Sequence, residues 1–283
     1  MIEKLIFGNV PIPGEAVRIA LALVGTAVAT YFDLFNNKSI PNNVLYAFLI
    51  VAFATNIFFF NQELFLFGIG IAVLISAIGF VFYHVGQLGA ADVFVLASIA
   101  LLLPLHPQLS AMPFNFPLVL SVLVFAGVLF SLYTMARFGA YVIKKQIKPK
   151  PHFLLLLVPY ALFSYMFASS AIFSPVYFAI VSVMFISAIF FLSYKEHIHK
   201  SMAEKIHYDD LEQEDVLALE FMHKEDVEKH KLGRLLTRYQ VEKIRKHKLE
   251  NIWVFTKLPP FLPFIFVGLV IAILFARLLL PTF

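Results

Sequence analysis

The chain has 283 residues, of which 60% are hydrophobic and 14% charged, with a mean hydropathy of +0.84 and a formal net charge of +4. These values lie far outside the range of soluble domains and indicate a multi-span membrane protein. The sequence has no cysteine, which excludes disulfides, thiolate metal sites and a thiol nucleophile. The small positive charge is weak evidence for nucleic-acid binding.

Long apolar runs predict an all-α polytopic membrane protein, because a transmembrane helix needs about 20 apolar residues, or about 17 when it is short. The run at 92–104 is too short to cross a membrane alone. We expect a broken or partly buried helix there, since irregular backbone at membrane depth must be covered by protein. About eight transmembrane helices are predicted, at 16–34, 43–60, 64–84, 92–104, 117–138, 153–170, 175–194 and 259–280.

The basic residues predict the orientation of these helices, because cytoplasmic loops of membrane proteins are rich in Lys and Arg. Most Lys and Arg residues fall on the cytoplasmic side if the first helix runs from outside to inside. The outer side then holds only Lys4, Arg18 and Arg277, and the last two lie near helix ends where their side chains can reach the interface. The inner side holds Lys38, Arg137, Lys144, Lys145, Lys148, Lys150 and the segment 195–257.

The segment 195–257 is the one sizeable polar stretch, and it carries 13 of the 18 acidic and 13 of the 22 basic residues. Apolar residues recur at helical spacing within it, which predicts amphipathic helices at 211–230 and 233–251. We therefore expect a small helical cytoplasmic insertion that leans on the membrane.

Asp33 and Asp92 are the two acids that adjoin apolar runs in the membrane region; the remaining acids outside 195–257 lie at the terminus or at probable turns. An ionisable group in such a place is energetically costly unless it is paired or functional. Asp33 closes the first predicted helix and Asp92 opens the fourth. The predicted topology therefore places both carboxyl groups at the same depth on the inner side.

Two carboxyl groups brought within hydrogen-bonding reach cannot both ionise readily, so they share a proton. One then acts as a base on water while the other polarises or protonates a scissile carbonyl, which is aspartic-protease chemistry and requires no metal or cofactor. The structural alternatives are that Asp92 caps its helix and that Asp33 is a hydrated helix end.

The two acids lie in motifs that resemble those of the archaeal preflagellin and type IV prepilin peptidases, which are GxGD-type aspartic peptidases. The stretch from Asp33 through Ile40-Pro41-Asn42 resembles their first catalytic motif, an aspartate followed by a short polar loop and Ile-Pro-Asn. Gly89-Ala90-Ala91-Asp92 resembles the second. The resemblance covers about residues 16–135. The sequence does not contain the Cys-x-x-Cys zinc module that is common in bacterial members.

This resemblance implies an endopeptidase of the cell membrane that removes class III signal peptides from prepilin or preflagellin precursors at the cytoplasmic face. Asp33 and Asp92 would be catalytic, and Gly89, Ala90, Ala91, Ile40, Pro41 and Asn42 would position the motifs or the substrate. The implied partners are these signal peptides and membrane lipid. The expected organisation is a catalytic membrane domain at 1–138, additional transmembrane helices at 139–194, the cytoplasmic insertion at 195–257 and a C-terminal transmembrane helix at 258–283.

Other polar residues carry less weight. His84 and Gln87 are predicted near the depth of the aspartates, where His84 could contact them and Gln87 could orient substrate backbone; an interfacial His and a loop-stabilising Gln are the simpler interpretations. Asn42 is expected to cap the second helix. The histidines of 195–257 are spaced irregularly, which favours a solvated surface over a metal site. An acidic run there, formed by Asp209, Asp210, Glu212, Glu214 and Asp215, has the charge needed to attract a basic leader, or simply starts a helix.

Two other functions remain open from sequence. A transporter or channel could use Asp33 and Asp92 as proton or cation relays, although the halves of the chain show no inverted repeat. A presenilin-like or signal-peptide-peptidase-like intramembrane protease also uses GxGD, but its first motif is typically Tyr-Asp within a helix. Here Phe32 precedes Asp33.

Overall fold

The computed structural model describes residues 10–36, 40–108, 117–170, 173–249 and 251–275, and most of them are helical. The helices are α1 (Glu15–Phe35), α2 (Asn42–Phe58), α3 (Gln62–His84), α4 (Ala90–Leu102), α5 (Leu118–Lys144), α6 (Pro151–Leu154), α7 (Leu157–Ala168), α8 (Pro175–Met202), α9 (Lys224–His230), α10 (Arg238–His247) and α11 (Leu262–Phe275). Two short strands, β1 (Ala203–Ile206) and β2 (Ile252–Phe255), complete the regular structure.

Five helical segments are long and apolar enough to cross a membrane: α1, α3, α5, α8 and the stretch Pro151–Ala168 that contains α6 and α7. The apolar helices α2, α4 and α11 are shorter. Every predicted apolar run therefore forms a helix, and the membrane character of the chain agrees with the length and composition of these helices. A total of eight crossings remains a prediction.

Helix α4 is the centre of the helix bundle. Its residues from Val95 to Leu102 are all buried, and it packs against α1, α2, α3 and α5. Helix α11 packs against α5 and α1, where a Cβ added at Gly268 would lie 2.8 Å from the Val122 carbonyl oxygen. Helix α11 is thus part of the same hydrophobic core as α1 and α4, the helices that carry Asp33 and Asp92.

Helix α4 ends inside the bundle, and the buried Arg18 satisfies its end. The Arg18 guanidinium is 1% exposed; its Nη1 donates to the Leu102 carbonyl at 3.0 Å and to the Asn56 side-chain oxygen at 2.9 Å. Asn56 Nδ2 in turn donates to the Leu101 carbonyl at 2.9 Å. The prediction that Arg18 extends to the membrane interface was wrong, because the last carbonyls of a buried helix need donors where water is excluded.

Replacing Arg18 with methionine is expected to destabilise the bundle by about 3 kcal/mol, since it leaves helix-end carbonyls buried without donors. The measurement is thermal unfolding of the purified protein in detergent. Arg137→Met is the control, because Arg137 is exposed near the other end of the bundle. Equal unfolding temperatures for the two variants would contradict the proposed capping role.

The polar segment 203–257, here called the polar unit, contains two strands, whereas a helical insertion was predicted. Strands β1 and β2 pair antiparallel, with Ala203 opposite Phe255 and Ile206 opposite Ile252. Helix α8 continues to Met202, so the polar unit begins later than the predicted boundary at 195. The aromatic and β-branched residues of β2 favour a strand over a helix end.

The prediction of two long amphipathic helices in the polar unit was also wrong. The α-helices there are the short α9 and α10, and Val216 and Leu217, which precede α9, instead form β-bridges with Leu235 and Val254. Glu214 has φ 72°, a left-handed conformation that cannot continue a helix. The apolar residues instead build a separate small core formed by Leu211, Leu217, Leu232, Leu236, Val241, Ile244, Ile252 and Val254.

Candidate active site

Asp33 and Asp92 are brought together by the packing of α1 against α4. Asp33 lies in the last turn of α1 and Asp92 in the first turn of α4. Both side chains are buried, at 9% and 8% exposure, and they are close enough for their charges to interact. The structure therefore brings within electrostatic range two acids that are 59 positions apart in the chain.

The carboxyl group of Asp92 is oriented by the start of its own helix. Its Oδ2 accepts a hydrogen bond from the Gly89 backbone N–H at 2.9 Å. Gly89 occupies the N-cap position and Asp92 is the third residue of α4, so Asp92 caps the helix start from within its first turn and not as the N-cap residue. The bond satisfies a helix-end donor and fixes the direction of the carboxyl group at the same time.

Gly89 makes room for this carboxyl group. Its backbone has φ −76° and ψ 150°, which any residue can adopt. A Cβ at this position would lie 3.2 Å from Asp92 Oδ2, closer than an ordinary van der Waals contact. Glycine therefore leaves space beside Asp92, and a larger residue would require the Asp92 carboxyl group to shift.

The turn from α3 to α4 is short and well defined. Gly86 has φ +71°, and its N–H donates to the Tyr83 carbonyl at 2.8 Å, while the Gln87 N–H donates to the Phe82 carbonyl at 2.9 Å. These two bonds form a Schellman motif, which ends a helix with a left-handed glycine. The turn therefore fixes the direction of the chain between the end of α3 and Gly89.

The other motif residues lie on both sides of the second helix start. Ile40 packs against the hydrophobic core of the helix bundle, and Pro41 is the N-cap residue of α2. Asn42 is the first residue of α2 and is exposed, so the predicted capping by its side chain was wrong. Ala91 packs against the core beside Asp92. The loop residues 37–39 of this motif lie outside the described residues.

An apolar groove of about 780 Å³ opens between α2, α3 and α4, and Asp92 is not among its lining residues. Sequence reasoning did not find it, since its lining residues look like ordinary lipid-facing ones. On the α4 side it is lined by Ala90, Val93 and Phe94, which flank Asp92 in sequence. The full lining is Leu49, Phe53, Ile69, Ala72, Val73, Ser76, Ala77, Phe80, Tyr83, Ala90, Val93, Phe94, Ala97 and Leu101.

His84 and Gln87, the further polar residues predicted near the depth of the aspartates, make structural contacts. The His84 ring packs on Phe80, with centroids 4.2 Å apart, and the Gln87 backbone takes part in the α3 cap. His199, near the end of α8, pairs with Glu220 of the polar unit at 2.6 Å. Among the residues that the structure describes, no group of three or more His, Asp and Glu side chains is arranged to hold a metal ion.

Comparisons with protein-family models, with curated proteins and with solved structures gave no match for this chain. The chemistry of the site therefore has to be inferred from its own geometry. That geometry consists of two buried carboxyl groups close enough for their charges to interact, with an apolar groove lined by other residues of α4. Such a pair can activate water and polarise a carbonyl without a metal ion.

Proposed function

We propose that the chain is a membrane aspartic endopeptidase that removes the basic class III signal peptide from prepilin-like or preflagellin-like precursors. In this proposal the protein lies in the cell membrane, with the aspartates and the polar unit on the cytoplasmic side. The observation that supports it most is that two buried acids from different helices, Asp33 and Asp92, lie close enough for their charges to interact.

The reaction consumes one water molecule. The ionised carboxyl group takes a proton from water as the oxygen attacks the scissile carbonyl carbon, while the protonated carboxyl group stabilises the developing oxyanion. The tetrahedral intermediate then collapses, the C–N bond breaks and the leaving amine receives a proton from the dyad. The products are the free leader and the mature subunit, and the shared proton returns to the aspartate pair.

The surroundings of the aspartates fit a substrate whose cleavage point joins a basic leader to an apolar helix. The apolar segment has a place in the groove beside Ala90 and Val93. The leader would extend toward the polar unit, which carries most of the acids of the chain. The scissile bond would then lie between the apolar segment and the basic leader, at the membrane surface.

The acidic run contributes to this fit through only part of its length. Glu214 is exposed but interacts electrostatically with Tyr83. Burial raises the pKa of the Asp215 carboxyl, an effect opposed by its bond from the Glu212 N–H at 2.8 Å. The exposed acids Asp209, Asp210 and Glu212 are the ones available to a basic leader.

Neutralising these three acids as Asp209→Asn, Asp210→Asn and Glu212→Gln is expected to raise KM a few-fold and leave kcat unchanged, because exposed pairs contribute only ~0.2–1 kcal/mol each. The effect should shrink at high salt, since the Debye length falls from about 10 Å at 0.1 M to about 3 Å at 1 M. The measurement is steady-state cleavage at both salt concentrations.

The control for this variant is the same loss of charge on α9, as Glu225→Gln, Asp226→Asn and Glu228→Gln. A rise in KM that is equal in both triple variants would indicate a general effect of net charge. An unchanged KM in the first variant at low salt would leave the acidic run with no part in leader binding.

The proposed function is tested by incubating membranes that contain the chain with a prepilin-like precursor. A product shortened by the leader supports the proposal. Cleavage within the apolar segment would favour an intramembrane protease of the presenilin kind, and absence of cleavage would leave the proton or cation relay as the better account. In that last case Asp33 and Asp92 would be expected to support ion flux across vesicles.

A further inference from the structure

The polar unit touches the α3–α4 turn directly. Val216 packs so closely on Gly86 that a Cβ added to this glycine would lie 2.9 Å from Val216 Cγ1. Two residues earlier, the Glu214 carboxylate lies close enough to the Tyr83 hydroxyl, at the end of α3, for the two groups to interact electrostatically. One polar and one apolar contact therefore hold the same turn from the side of the polar unit.

The segment that makes these contacts is fixed from both sides. The Glu214 N–H donates to the Leu236 carbonyl at 2.9 Å, and the Leu217 N–H donates to the Arg234 carbonyl at 2.7 Å. On its other edge the Phe255 N–H donates to the Val216 carbonyl at 2.9 Å. The segment 214–218 thus lies between two neighbouring stretches of chain and presents Glu214 and Val216 from a rigid support.

The support is also joined to the helix bundle. Val216 packs with Phe255 in a hydrophobic cluster that includes Phe138 of α5 and Ile198 of α8. The polar unit is therefore anchored to two long helices that do not carry the aspartates. A contact from this unit can hold the α3–α4 turn in a fixed place relative to the rest of the bundle.

Only a short path separates this contact from Asp92. Gly86 is locked by the Schellman motif, and three residues later the Gly89 N–H is bonded to the Asp92 carboxylate. A turn of this length with both ends fixed has little freedom to absorb a displacement. Movement of Gly86 is therefore passed on to the start of α4.

We propose that Glu214 and Val216 are positioning residues for the aspartate pair: by holding the α3–α4 turn, they keep Asp92 opposite Asp33. The inference rests on the proposed peptidase function for its kinetic consequence and on the contacts alone for its structural one. Neither residue touches the reacting atoms. One member of the acidic run, Glu214, thus acts on the catalytic geometry, while Asp209, Asp210 and Glu212 remain available to a leader.

The polar contact is tested with Tyr83→Phe, Glu214→Ala and the double variant. Each single change is expected to lower kcat about tenfold with KM little changed, since a displacement of 1 Å can cost ~100-fold and a partial one less. The kcat of the double variant should be no lower than that of either single variant, because both changes remove the same interaction. Glu214→Gln retains an acceptor and should recover most of the rate.

The apolar contact is tested with Val216→Ala, for which Val227→Ala is the matched control. Val227 packs against the small core of the polar unit, away from the turn. Loss of a general packing contribution would affect both variants alike. The proposal predicts that only Val216→Ala lowers kcat.

A readout that does not depend on activity is available because the sequence has no cysteine. In the variant Asp33→Cys/Asp92→Cys, the yield of oxidative cross-linking reports how closely the two positions approach. Adding Glu214→Ala or Val216→Ala should lower this yield at least several-fold, while adding Val227→Ala should not.

The outcomes separate the two proposals. If the wild-type chain cleaves no precursor but the cross-linking yield responds as expected, the peptidase assignment fails and the positioning role stands. A yield that is unchanged by Glu214→Ala and by Val216→Ala overturns the positioning role, whether or not the chain is a peptidase.

Discussion

Replacing either Asp33 or Asp92 with asparagine is expected to abolish precursor cleavage while membrane insertion and protein abundance stay near normal. Both carboxyl groups belong to one proton-sharing pair, so removing one ionisable group removes the function of the other. The double variant should therefore be no less active than either single variant, which is the non-additivity typical of residues that act as a unit. The measurement is the initial rate of leader removal per amount of folded protein.

Glu63→Gln is the control for this prediction, since Glu63 lies in the first turn of α3, at the end opposite to the turn that leads to Asp92. It should leave the rate unchanged. A single aspartate variant that keeps more than about a tenth of the wild-type rate, a loss of only ~1.4 kcal/mol, would be incompatible with a two-aspartate mechanism.

Gly89→Val is expected to lower kcat by about 100-fold, because misplacing a catalytic group by 1 Å can cost that much. The backbone of Gly89 is compatible with valine, so the loss comes from the new side chain meeting Asp92 Oδ2, which a Cβ would approach to 3.2 Å. Gly89→Ala should have a smaller effect in the same direction. The measurement is kcat together with the thermal unfolding temperature of each variant.

Gly127→Val is the matched control for Gly89→Val. Gly127 lies within α5, and a Cβ there meets nothing within 4 Å. This variant should keep both its rate and its stability. If the two valine variants lost equal activity, Gly89 would be an ordinary packing residue and the account of Asp92 orientation would fail.

The positions of the helices and of the aspartate pair could be predicted because they depend on properties that a sequence displays directly. Apolar runs mark helices wherever the surroundings are apolar. The short run at 92–104 forms α4, whose burial from Val95 to Leu102 explains why it needs no lipid-spanning length. Asp33 and Asp92 stand out since acids are rare beside such runs.

The features that sequence reasoning missed depend on contacts between distant residues. Arg18 looks like an interfacial residue until the end of α4 is placed next to it. The apolar positions of the polar unit fit a helical period, but their partners in space select strands for 203–206 and 252–255. The contact of Val216 with Gly86 joins residues 130 positions apart, and no local pattern encodes it.

The central claim is that Asp33 and Asp92 together remove a basic leader, and it is tested most directly with the purified chain in lipid nanodiscs. A synthetic precursor is incubated with wild type, Asp33→Asn and Asp92→Asn, and the new N-terminus of the product is determined by mass spectrometry. We predict a single cut at the junction of the basic leader and the apolar segment by wild type, and no product from either variant. A cut inside the apolar segment, or the same cut by either asparagine variant, would contradict the claim.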